Sequence, residues 1–376
     1  MILGLLKEQG TETRVALLPE TVKNLTDLKA EVLVEKSAGE MAYAPDSAYE
    51  EAGAQIVSRS TILEKAEVIL QIQPPEKDFL EKINSGKVWI SAFNPLWETE
   101  LVKQFKSKGI TSFSLDSVPR TTRAQSMDIL SSMATVAGYK AVLEAGLRLP
   151  VFFPMFMTAA GTIRPANILI LGAGVAGLQA IATARRLGAQ VYVFDVRSAV
   201  KEEVQSLGGK FVEVEGAIED KEAGGYAVEQ TEEYKAKQQE AINNQALKSD
   251  VIICTAQIPG KKAPLLISKE TVEKMKPGSV IIDLAASSGG NCELTENDKV
   301  ITHNKITIIG QSNYPALTPL DASRMFGKNV FNFLKLIIGE EGKLNLNFED
   351  EIVKGTCITH QGDILNERVK SLTENK

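Results

Sequence analysis

The stretch from residue 167 to residue 197 constrains the fold more than any other part of the chain. The apolar run Asn167–Leu171 is rich in branched residues and too short for a helix, which predicts a buried strand. A glycine turn follows, then a helical pattern over Leu178–Leu187 and a second buried run, Val191–Phe194, that ends at Asp195. Strand, glycine turn, helix, strand and acid together are the pattern of a dinucleotide-binding βαβ unit.

Each glycine of this turn has its own expected role. Gly172 permits the tight turn, Gly174 lets the backbone approach a pyrophosphate, and Gly177 lets helix and strand pack closely. The phosphates are expected on the free N–H groups at the positive end of the helix. Asp195 is expected to accept hydrogen bonds from an adenosine ribose, which favours NAD(H) over NADP(H). Two alternatives stay open, because Arg197 can bind a 2′-phosphate and a glycine turn can merely pack a helix on a sheet.

Composition excludes several classes of protein. A net charge of -6 argues against nucleic acid as the main partner. Three cysteines without ligand spacing predict buried thiols in a reducing compartment and no metal site. No apolar run reaches membrane-spanning length, and Met1–Glu8 lacks the pattern of a signal peptide. We therefore expect a soluble molecule.

The remaining chain predicts a second α/β domain. Residues 1–126 alternate strands with helices, which indicates a parallel, doubly wound sheet that lacks a glycine fingerprint of its own. A long helix near residues 320–338 and the tail after it are expected to return to this domain. The predicted fold class is α/β, with two doubly wound Rossmann-like domains whose mainly parallel sheets are joined by long helices. The domains comprise residues 1–126 plus 320–376, and residues 127–319.

Three segments around these domains carry further expectations. A helix is predicted over residues 127–145 and is expected to end at Gly146. The connector 149–162 contains a Met and Phe cluster, which we expect to pack into a core. Residues 219–248 are polar and rich in charge, and they predict either a solvated surface or a lid.

A polar cluster at residues 119–128 precedes the long helix. Asp128 is expected in the first helical turn, where the helix dipole stabilises a carboxylate. Arg120, Arg123, Gln125 and Asp128 can form a loop held by Arg–carboxylate pairs. Such a loop can present donors to a nicotinamide carboxamide and a diphosphate. A salt bridge combined with a helix cap explains the same residues equally well.

The chain is poor in groups for proton transfer. Its two histidines, His303 and His360, do not follow strand ends near the glycine turn, and both are expected at the surface. Gln257 and Asp283 follow two further predicted strands and are expected on the nicotinamide side of the crevice. Hydride transfer between two nicotinamides moves no proton to oxygen or nitrogen, so that reaction suits these residues.

With these residues in place, the chain resembles domain I of proton-translocating nicotinamide nucleotide transhydrogenase, its NAD(H)-binding alpha component. The resemblance covers essentially the whole sequence and departs from the family at Gln257, where an apolar residue is expected. The matching motifs are Arg14-Val-Ala with Pro19-Glu20, Arg123 to Ser132, Met157 to Gly161, Gly174 to Ala184, Asp195-Val-Arg197, Ala223-Gly-Gly-Tyr226, Ile258-Pro-Gly-Lys261 and Lys276 to Leu284.

The resemblance implies a role for each matching residue. Arg120, Gln125 and Asp128 would be the family's Arg–Gln–Asp loop at the nicotinamide end, and the segment around Tyr226 would be its mobile loop. The implied NAD(H)-binding residues are Arg123, Ser126, Met127, Ser131, Gly172, Gly174, Val175, Ala176, Gly177, Asp195, Val196, Arg197, Gly225, Tyr226, Gln238 and Gln257.

The resemblance also implies partners and a location. The chain would form a homodimer and pass hydride to NADP(H) held by a beta subunit, domain III. A membrane component would carry protons, and the chain would lie in the cytoplasm, peripheral on the inner face of the cytoplasmic membrane. Neither metal nor nucleic acid is implied.

Two other functions remain as alternatives. Alanine dehydrogenase has the same fold, and in that family a lysine and a histidine bind and protonate the substrate. Here the corresponding places read Gln71-Ile-Gln73 and Ala92-Phe-Asn94, and of that site only Arg14 survives. The other alternative is an NAD-sensing module that turns nothing over.

Overall fold

The computed structural model describes residues 1–214, 231–258 and 260–374. The chain divides into two compact units, residues 1–133 with 315–376, and residues 134–314. The strands are β1 Ile2–Leu5, β2 Glu31–Glu35, β3 Gln55–Val57, β4 Val68–Leu70, β5 Val88–Ser91, β6 Thr111–Ser114, β7 Phe156–Thr158, β8 Gly161–Ile163, β9 Asn167–Leu171, β10 Gln190–Phe194, β11 Lys210–Phe211, β12 Val251–Cys254, β13 Val280–Asp283, β14 Val300–His303, β15 Ile306–Ile309, β16 Cys357–His360 and β17 Asp363–Ile364. The helices are α1 Pro19–Asp27, α2 Asp46–Glu51, α3 Arg59–Lys65, α4 Lys77–Leu80, α5 Thr99–Ser107, α6 Ile129–Arg148, α7 Val175–Arg186, α8 Lys201–Ser206, α9 Glu232–Ala246, α10 Lys269–Lys274, α11 Pro319–Ile337, α12 Glu351–Thr356 and α13 Glu367–Glu374.

The first unit is built on one large sheet with the strand order β17-β16-β6-β5-β4-β1-β2-β3. The strands β1 to β6 are parallel, whereas β16 runs antiparallel to β6 and carries the C-terminal part of the chain into the sheet. The helix α11 buries one face against this unit, and the ring of Phe333 meets that of Phe113 edge-on at 5.4 Å. Burial of each such side chain stabilises the unit by roughly 1.5–3 kcal/mol.

The second unit has the strand order β11-β10-β9-β12-β13-β15-β14, with β9 inside the sheet. All of its neighbouring strands are parallel except β14, which forms an antiparallel edge with β15. Residues 168–171 of β9 are fully buried because helices cover both faces of a parallel sheet. The predicted fold class, two doubly wound units with mainly parallel sheets, is confirmed.

Two expectations about the connecting segment are wrong. The helix α6 does not end at Gly146 but continues to Arg148, and Pro150, which has no N–H to donate, then prevents its extension. The connector after α6 does not pack into a core. Every residue of β7 and β8 is exposed, and Met157 keeps 75% of its surface. Of residues 149–162, only Leu149 and Phe153, which precede the hairpin, are buried in the core of the second unit.

The longest helices, α6 and α11, are 20 and 19 residues long. Among the described residues, no helix is both long and apolar enough to cross a bilayer.

The first unit contains a buried carboxyl at the end of β1. The Glu8 carboxylate oxygens accept hydrogen bonds from the N–H groups of Ile72 at 2.6 Å and Gln73 at 3.2 Å. Burial raises the pKa of Glu8 from 4.5 to about 8, and the Glu12 carboxylate adds to the rise while Arg14 opposes it. The folded protein therefore holds a proton on Glu8 at pH values where the unfolded chain has released it.

This buried proton predicts a pH-dependent stability. Because the folded pKa of Glu8 is raised, its contribution is complete below pH 4.5 and declines as the pH rises towards about 8. Glutamine is uncharged, like the protonated acid. The melting temperature of Glu8→Gln should therefore fall less between pH 5 and 8 than that of the parent protein. Calorimetric melts across that range test this, with Glu31→Gln on the exposed end of β2 as control. An unchanged pH profile in Glu8→Gln would contradict the prediction.

Candidate functional site

The glycine turn joins β9 to α7 in the second unit. Gly172 has a φ of 106°, a left-handed conformation that favours glycine, and its N–H donates to the Phe194 carbonyl at 2.8 Å. A Cβ on Gly177 would overlap the carbonyl oxygen of Gly172, so only glycine lets α7 lie this close to β9. A Cβ on Gly174 would meet no atom of the described residues within 4 Å. The space above Gly174 is therefore free for another group to approach the backbone.

The backbone beside this space has the features of an anion-binding site. The helix α7 begins at Val175, and Gly174 supplies no side-chain cap for its first N–H groups. N–H groups at the start of a helix lack partners within the helix and carry the positive end of its dipole. Val175 and Ala176 lie in this first turn, Val175 exposed and Ala176 half-buried. The turn can bind a diphosphate through backbone donors.

Two residues that support the turn were missed by sequence reasoning. Thr255, just after β12, donates its hydroxyl to the carbonyls of Leu171 at 3.1 Å and Gly172 at 3.0 Å. Gly138 lies inside α6, and a Cβ there would overlap the carbonyl oxygen of Ala176. A glycine inside a helix costs about 1 kcal/mol relative to alanine, so a glycine at position 138 of the predicted helix indicates close packing. No sequence pattern indicates the role of Thr255.

Asp195 follows β10 and is almost fully buried. Its Oδ2 accepts from the Ala173 N–H at 2.7 Å and from Nη2 of Arg197 at 2.8 Å. Its Oδ1 accepts from the backbone N–H and the Nε of Arg197, both at 2.9 Å. This pairing raises the pKa of Arg197 above its usual range. Asp195, which was expected to bind a ribose, thus links the glycine turn to the guanidinium of Arg197 through hydrogen bonds.

Other predicted residues lie around the same edge of the second sheet. Val196 is half-buried and packs on the core. Gln238 lies on α9 one turn after Tyr234, a buried tyrosine that sequence reasoning missed. Burial, and then the charge of Asp195, raises the pKa of Tyr234. The side-chain amide of Gln257 donates to the Leu284 carbonyl at 2.9 Å.

Asp283, the last residue of β13, has a structural role. Its carboxylate is fully buried and accepts from the N–H groups of Ala285, Asn291 and Cys292 and from the Thr295 hydroxyl. With these donors it holds the following loop in place. Gly225 and Tyr226, with the rest of residues 215–230, lie outside the described residues.

The polar loop before α6 lies in the first unit, where Thr122–Met127 forms a 3-10 turn. The Arg123 guanidinium pairs with both carboxylate oxygens of Asp350 at 2.7 and 2.8 Å, which holds the pKa of Asp350 below its usual range. Arg123 therefore pairs with the residue that caps α12, and the expected Arg–carboxylate pairing within the loop is not found for it.

Asp128 has a defined structural role in this loop. Asp128 was predicted in the first turn of the helix. It lies instead just before Ile129, the residue at which α6 begins. Its Oδ1 accepts from the Ser131 N–H at 2.9 Å and its Oδ2 from the Ser131 hydroxyl at 2.6 Å. This is the geometry of a helix N-cap.

The other loop residues divide into anchored and exposed positions. The carbonyl of Ser126 accepts hydrogen bonds from the side chains of Asn329 and Asn332 on α11. Met127 is buried in the core of the first unit. Arg120, Arg123 and Gln125 are exposed. Thus the loop is fixed at its end and through the Arg123–Asp350 pair, and Arg120 and Gln125 lie at its surface.

The histidines take no part in either arrangement. His303 is on β14 at the far edge of the second sheet. Its Nε2 lies 3.1 Å from a carboxylate oxygen of Glu273. The Nδ1 of His360 lies 3.0 Å from the Thr111 hydroxyl in the first unit, and burial lowers the pKa of His360. Both rings are half-buried rather than fully exposed. Among the described residues, no cluster of acidic, His and Cys side chains could hold a metal ion.

A parallel sheet, a glycine turn with free helix N–H groups and an acid after the next strand define a Rossmann-type dinucleotide-binding unit. The chain belongs to the alanine dehydrogenase/PNT family, whose N-terminal domain model matches residues 4–137 and whose C-terminal domain model matches residues 141–367. This membership implies binding of a nicotinamide nucleotide and confirms the resemblance seen in the sequence.

Individual relatives place the chain within this family. It is 47% identical to an NAD(P) transhydrogenase alpha subunit of Rhodospirillum rubrum, over 94% of this chain and 95% of that protein. A solved structure of transhydrogenase from Sinorhizobium meliloti matches with a TM-score of 0.88 and 42% identity, over 97% of this chain and 100% of that one. Alanine dehydrogenase of Bacillus subtilis is 29% identical over 82% of this chain and 76% of that protein. The relation to transhydrogenases is the nearer one.

Proposed function

We propose that this chain is the NAD(H)-binding component of a Re/Si-specific, proton-translocating transhydrogenase. It would pass hydride directly between NAD(H) on this chain and NADP(H) on a beta-subunit domain, with a membrane component coupling the transfer to proton movement. The observation that carries this proposal is the glycine turn, with an acid after the next strand and open space at Gly174. The 47% identity to a transhydrogenase subunit supports the particular reaction.

For direct hydride transfer, the protein mainly has to orient the nicotinamide rings. Hydride leaves the C4 carbon of one nicotinamide ring and joins the C4 carbon of the other, so NADH and NADP⁺ become NAD⁺ and NADPH. No proton moves to oxygen or nitrogen, so no general acid or base is needed. The task of the residues is to hold the ring in a reactive position, which is worth several kcal/mol of the barrier in favourable cases.

The residues of this chain divide that task. The backbone at Gly172, Gly174 and Gly177 and the first turn of α7 would bind the diphosphate, as the free N–H groups suggest. Asp195 would contact the adenosine ribose. We further propose NAD(H) contacts by Val175, Ala176, Val196, Arg197, Gly225, Tyr226, Gln238 and Gln257.

The nicotinamide end would be held by the loop of the first unit. Arg120, Gln125 and Asp128 are proposed to contact it, and the exposed side chains of Arg120 and Gln125 are consistent with this role. Arg123, Ser126, Met127 and Ser131 would support the loop, as their contacts with Asp350, α11, the core and Asp128 suggest. The two units would then correspond to two functional domains.

A reconstitution tests the proposed reaction. The purified chain, an NADP(H)-binding transhydrogenase domain III, NADPH and an oxidised NAD analogue should together give rapid reduction of the analogue. Omission of either protein should abolish the reaction, because each would hold only one of the two nicotinamides. Absence of hydride transfer in the complete mixture would contradict the proposal.

A second assay of the purified chain distinguishes a transhydrogenase from an alanine dehydrogenase. Arg14 is bound to its own neighbour Glu12 through two hydrogen bonds of 2.6 and 2.8 Å, and Gln71 is buried beside β4. We expect no oxidation of NADH when this chain alone is mixed with pyruvate and ammonium. NADH oxidation in that mixture would instead assign an alanine dehydrogenase.

We also propose a homodimer that associates with the cytoplasmic membrane through its partners. An exposed apolar surface in the second unit supports dimer formation, since solvent-exposed patches of this kind mark interaction sites. The ring centroids of Phe152 and Phe156 lie 4.6 Å apart within it, with the ring planes tilted by 56°. The surface consists of Leu147, Val151, Phe152, Met155, Phe156, Met157 and Ile163.

A charge placed on this surface should separate the subunits. Met157→Glu is expected to turn a dimer into a monomer at micromolar concentration, because a buried carboxylate without a partner strongly destabilises an interface. Leu265→Glu alters another exposed apolar residue of the second unit, 55% exposed, and should leave the mass unchanged. Sedimentation or light scattering measures the mass. A monomeric parent protein, or a dimeric Met157→Glu variant, would be evidence against this interface.

A further inference from the structure

The short helix α12 holds the start and the middle of the polar loop 119–128. A Cβ on Gly355 would overlap the ring of Pro119, so α12 and the start of the loop are in direct contact. The carboxylate of Asp350 caps α12 through the N–H of Ile352 and also pairs with both Nη atoms of Arg123. One carboxylate therefore joins the first turn of α12 to the middle of the loop.

The helix α11 holds the end of the same loop. The carbonyl oxygen of Ser126 accepts from the Nδ2 of Asn329 at 2.9 Å and from the Nδ2 of Asn332 at 3.1 Å. These asparagines lie three positions apart, so both face the same side of α11. Two donors on one carbonyl fix the direction of the peptide group that follows Ser126.

The burial of Asn329 shows what its amide contributes. In the part of the chain that the structure describes, its Oδ1 is buried and accepts no hydrogen bond. A buried acceptor without a partner destabilises a fold. An apolar side chain could fill the same place without that cost. The distinctive contribution of Asn329 is therefore the N–H that it donates to Ser126.

The residues held in this way alternate with those proposed to meet the nicotinamide. Arg120 follows Pro119 directly, and Gln125 precedes Ser126 directly. Adjacent Cα atoms are about 3.8 Å apart and are joined by a planar peptide group, so a shift of a held residue moves its neighbour as well. The positions of Arg120 and Gln125 thus depend on contacts made by α11 and α12.

We propose that Asp350, Asn329 and Asn332 are positioning residues for hydride transfer, which hold the loop so that Arg120 and Gln125 meet the nicotinamide. This inference rests on the proposed function and extends it to residues of the C-terminal part of the chain. These residues act through the loop and need not touch the nucleotide. Hydride transfer is sensitive to such placement, since a displacement of about 1 Å can slow a reaction on the order of 100-fold.

Asp350→Asn tests the contact with α12. Asparagine caps a helix as well as aspartate does, so α12 should persist while the charge pair with Arg123 is lost. Single-turnover transfer with domain III should slow about 10-fold, whereas NADH affinity by calorimetry should stay within about twofold, because orientation and not binding is disturbed. The Arg123 side chain is 51% exposed, and ion pairs at such positions add little stability, so the melting temperature should barely change.

A double-substitution cycle asks whether Asp350 acts through Arg123. Arg123→Met should slow the transfer to a similar extent, and the combination with Asp350→Asn should be no slower than either single variant, because both break the same pair. Losses that multiply would overturn this part of the inference. Glu349→Gln is the matched control, since it makes the same change of charge on the exposed neighbouring residue and should leave the rate unchanged.

The contact with α11 is tested independently. The double variant Asn329→Leu with Asn332→Leu removes both donors to Ser126 and should slow the transfer about 10-fold, and each single variant should slow it less. Its melting temperature should stay near that of the parent, because the unpaired oxygen of Asn329 disappears as well. Lys328→Leu, on an exposed position of α11, is the control. This pair of substitutions provides the test if Asp350→Asn fails to fold.

The outcomes separate this inference from the function beneath it. Parental transfer rates in the folded Asp350 and asparagine variants overturn the inference alone, as does a loss of NADH affinity as large as the loss of rate. A complete mixture in which the unaltered chain transfers no hydride overturns the proposed function and this inference with it.

Discussion

Gly174→Ala should lower NADH affinity about 100-fold, or ~2.7 kcal/mol, with little effect on stability. A Cβ at Gly174 would meet nothing within 4 Å in the part of the chain that the structure describes, and its backbone angles of φ -78° and ψ -170° suit any residue. The free energy of unfolding should thus change by no more than about 0.5 kcal/mol. The added methyl group would instead fill the space that the pyrophosphate must enter.

Gly177→Ala is the matched variant with the opposite expected effect. Its Cβ would overlap the Gly172 carbonyl oxygen, so α7 must move away from β9. Overpacking of this kind costs about 3 kcal/mol or more when the obstacle is backbone, which lowers the melting temperature by roughly 6–12 °C. Calorimetric unfolding and NADH titration of both variants test the contrast. Normal NADH affinity in Gly174→Ala would show that no phosphate passes over that residue.

Asp128→Asn should slow hydride transfer about 10- to 100-fold while α6 stays intact. Asparagine caps a helix as well as aspartate does, and it can still accept from the Ser131 N–H. The variant therefore removes the charge proposed to act at the nicotinamide and keeps the structural role. The loss should appear in the rate of transfer more than in NADH affinity, because the residue orients the ring and does not hold the adenosine.

Asp128→Ala provides the comparison that isolates the cap. It should cost about 1 kcal/mol of stability, or roughly 2–4 °C in melting temperature, in addition to the slower transfer. Single-turnover transfer from NADPH on domain III and thermal melts separate the two effects. If Asp128→Asn transfers hydride at the parental rate, Asp128 serves only as the helix cap.

The glycine turn and the acid after the next strand, which form one half of the candidate site, were predictable because their determinants are local. The glycines at 172 and 177 are demanded by backbone geometry over a few residues, and an acid after the next strand follows from the same βαβ unit. Alternation of apolar runs with helical patterns likewise predicted both parallel sheets, since parallel strands need crossover helices between them.

Several of the wrong expectations concern side chains whose contacts no local pattern indicates. Arg123 pairs with Asp350, which is 227 positions away, and no local pattern indicates that contact. The Met and Phe cluster after α6 was expected in a core but lies on an exposed hairpin, because apolar composition alone does not show which surface is covered. Asp283 follows a strand as a ligand residue would, yet later loop residues fill its oxygens.

The sequence by itself determined the fold class, the glycine turn and the position of Asp195, because strand length, helical periodicity and glycine stereochemistry act within about thirty residues. Only the tertiary structure decided what each polar side chain bonds to. It paired Asp195 with Arg197, placed Asp128 on the Ser131 N–H, and brought Thr255 to the glycine turn. The physical reason is that a hydrogen bond depends on ångström-scale positions set by the packing of the whole unit.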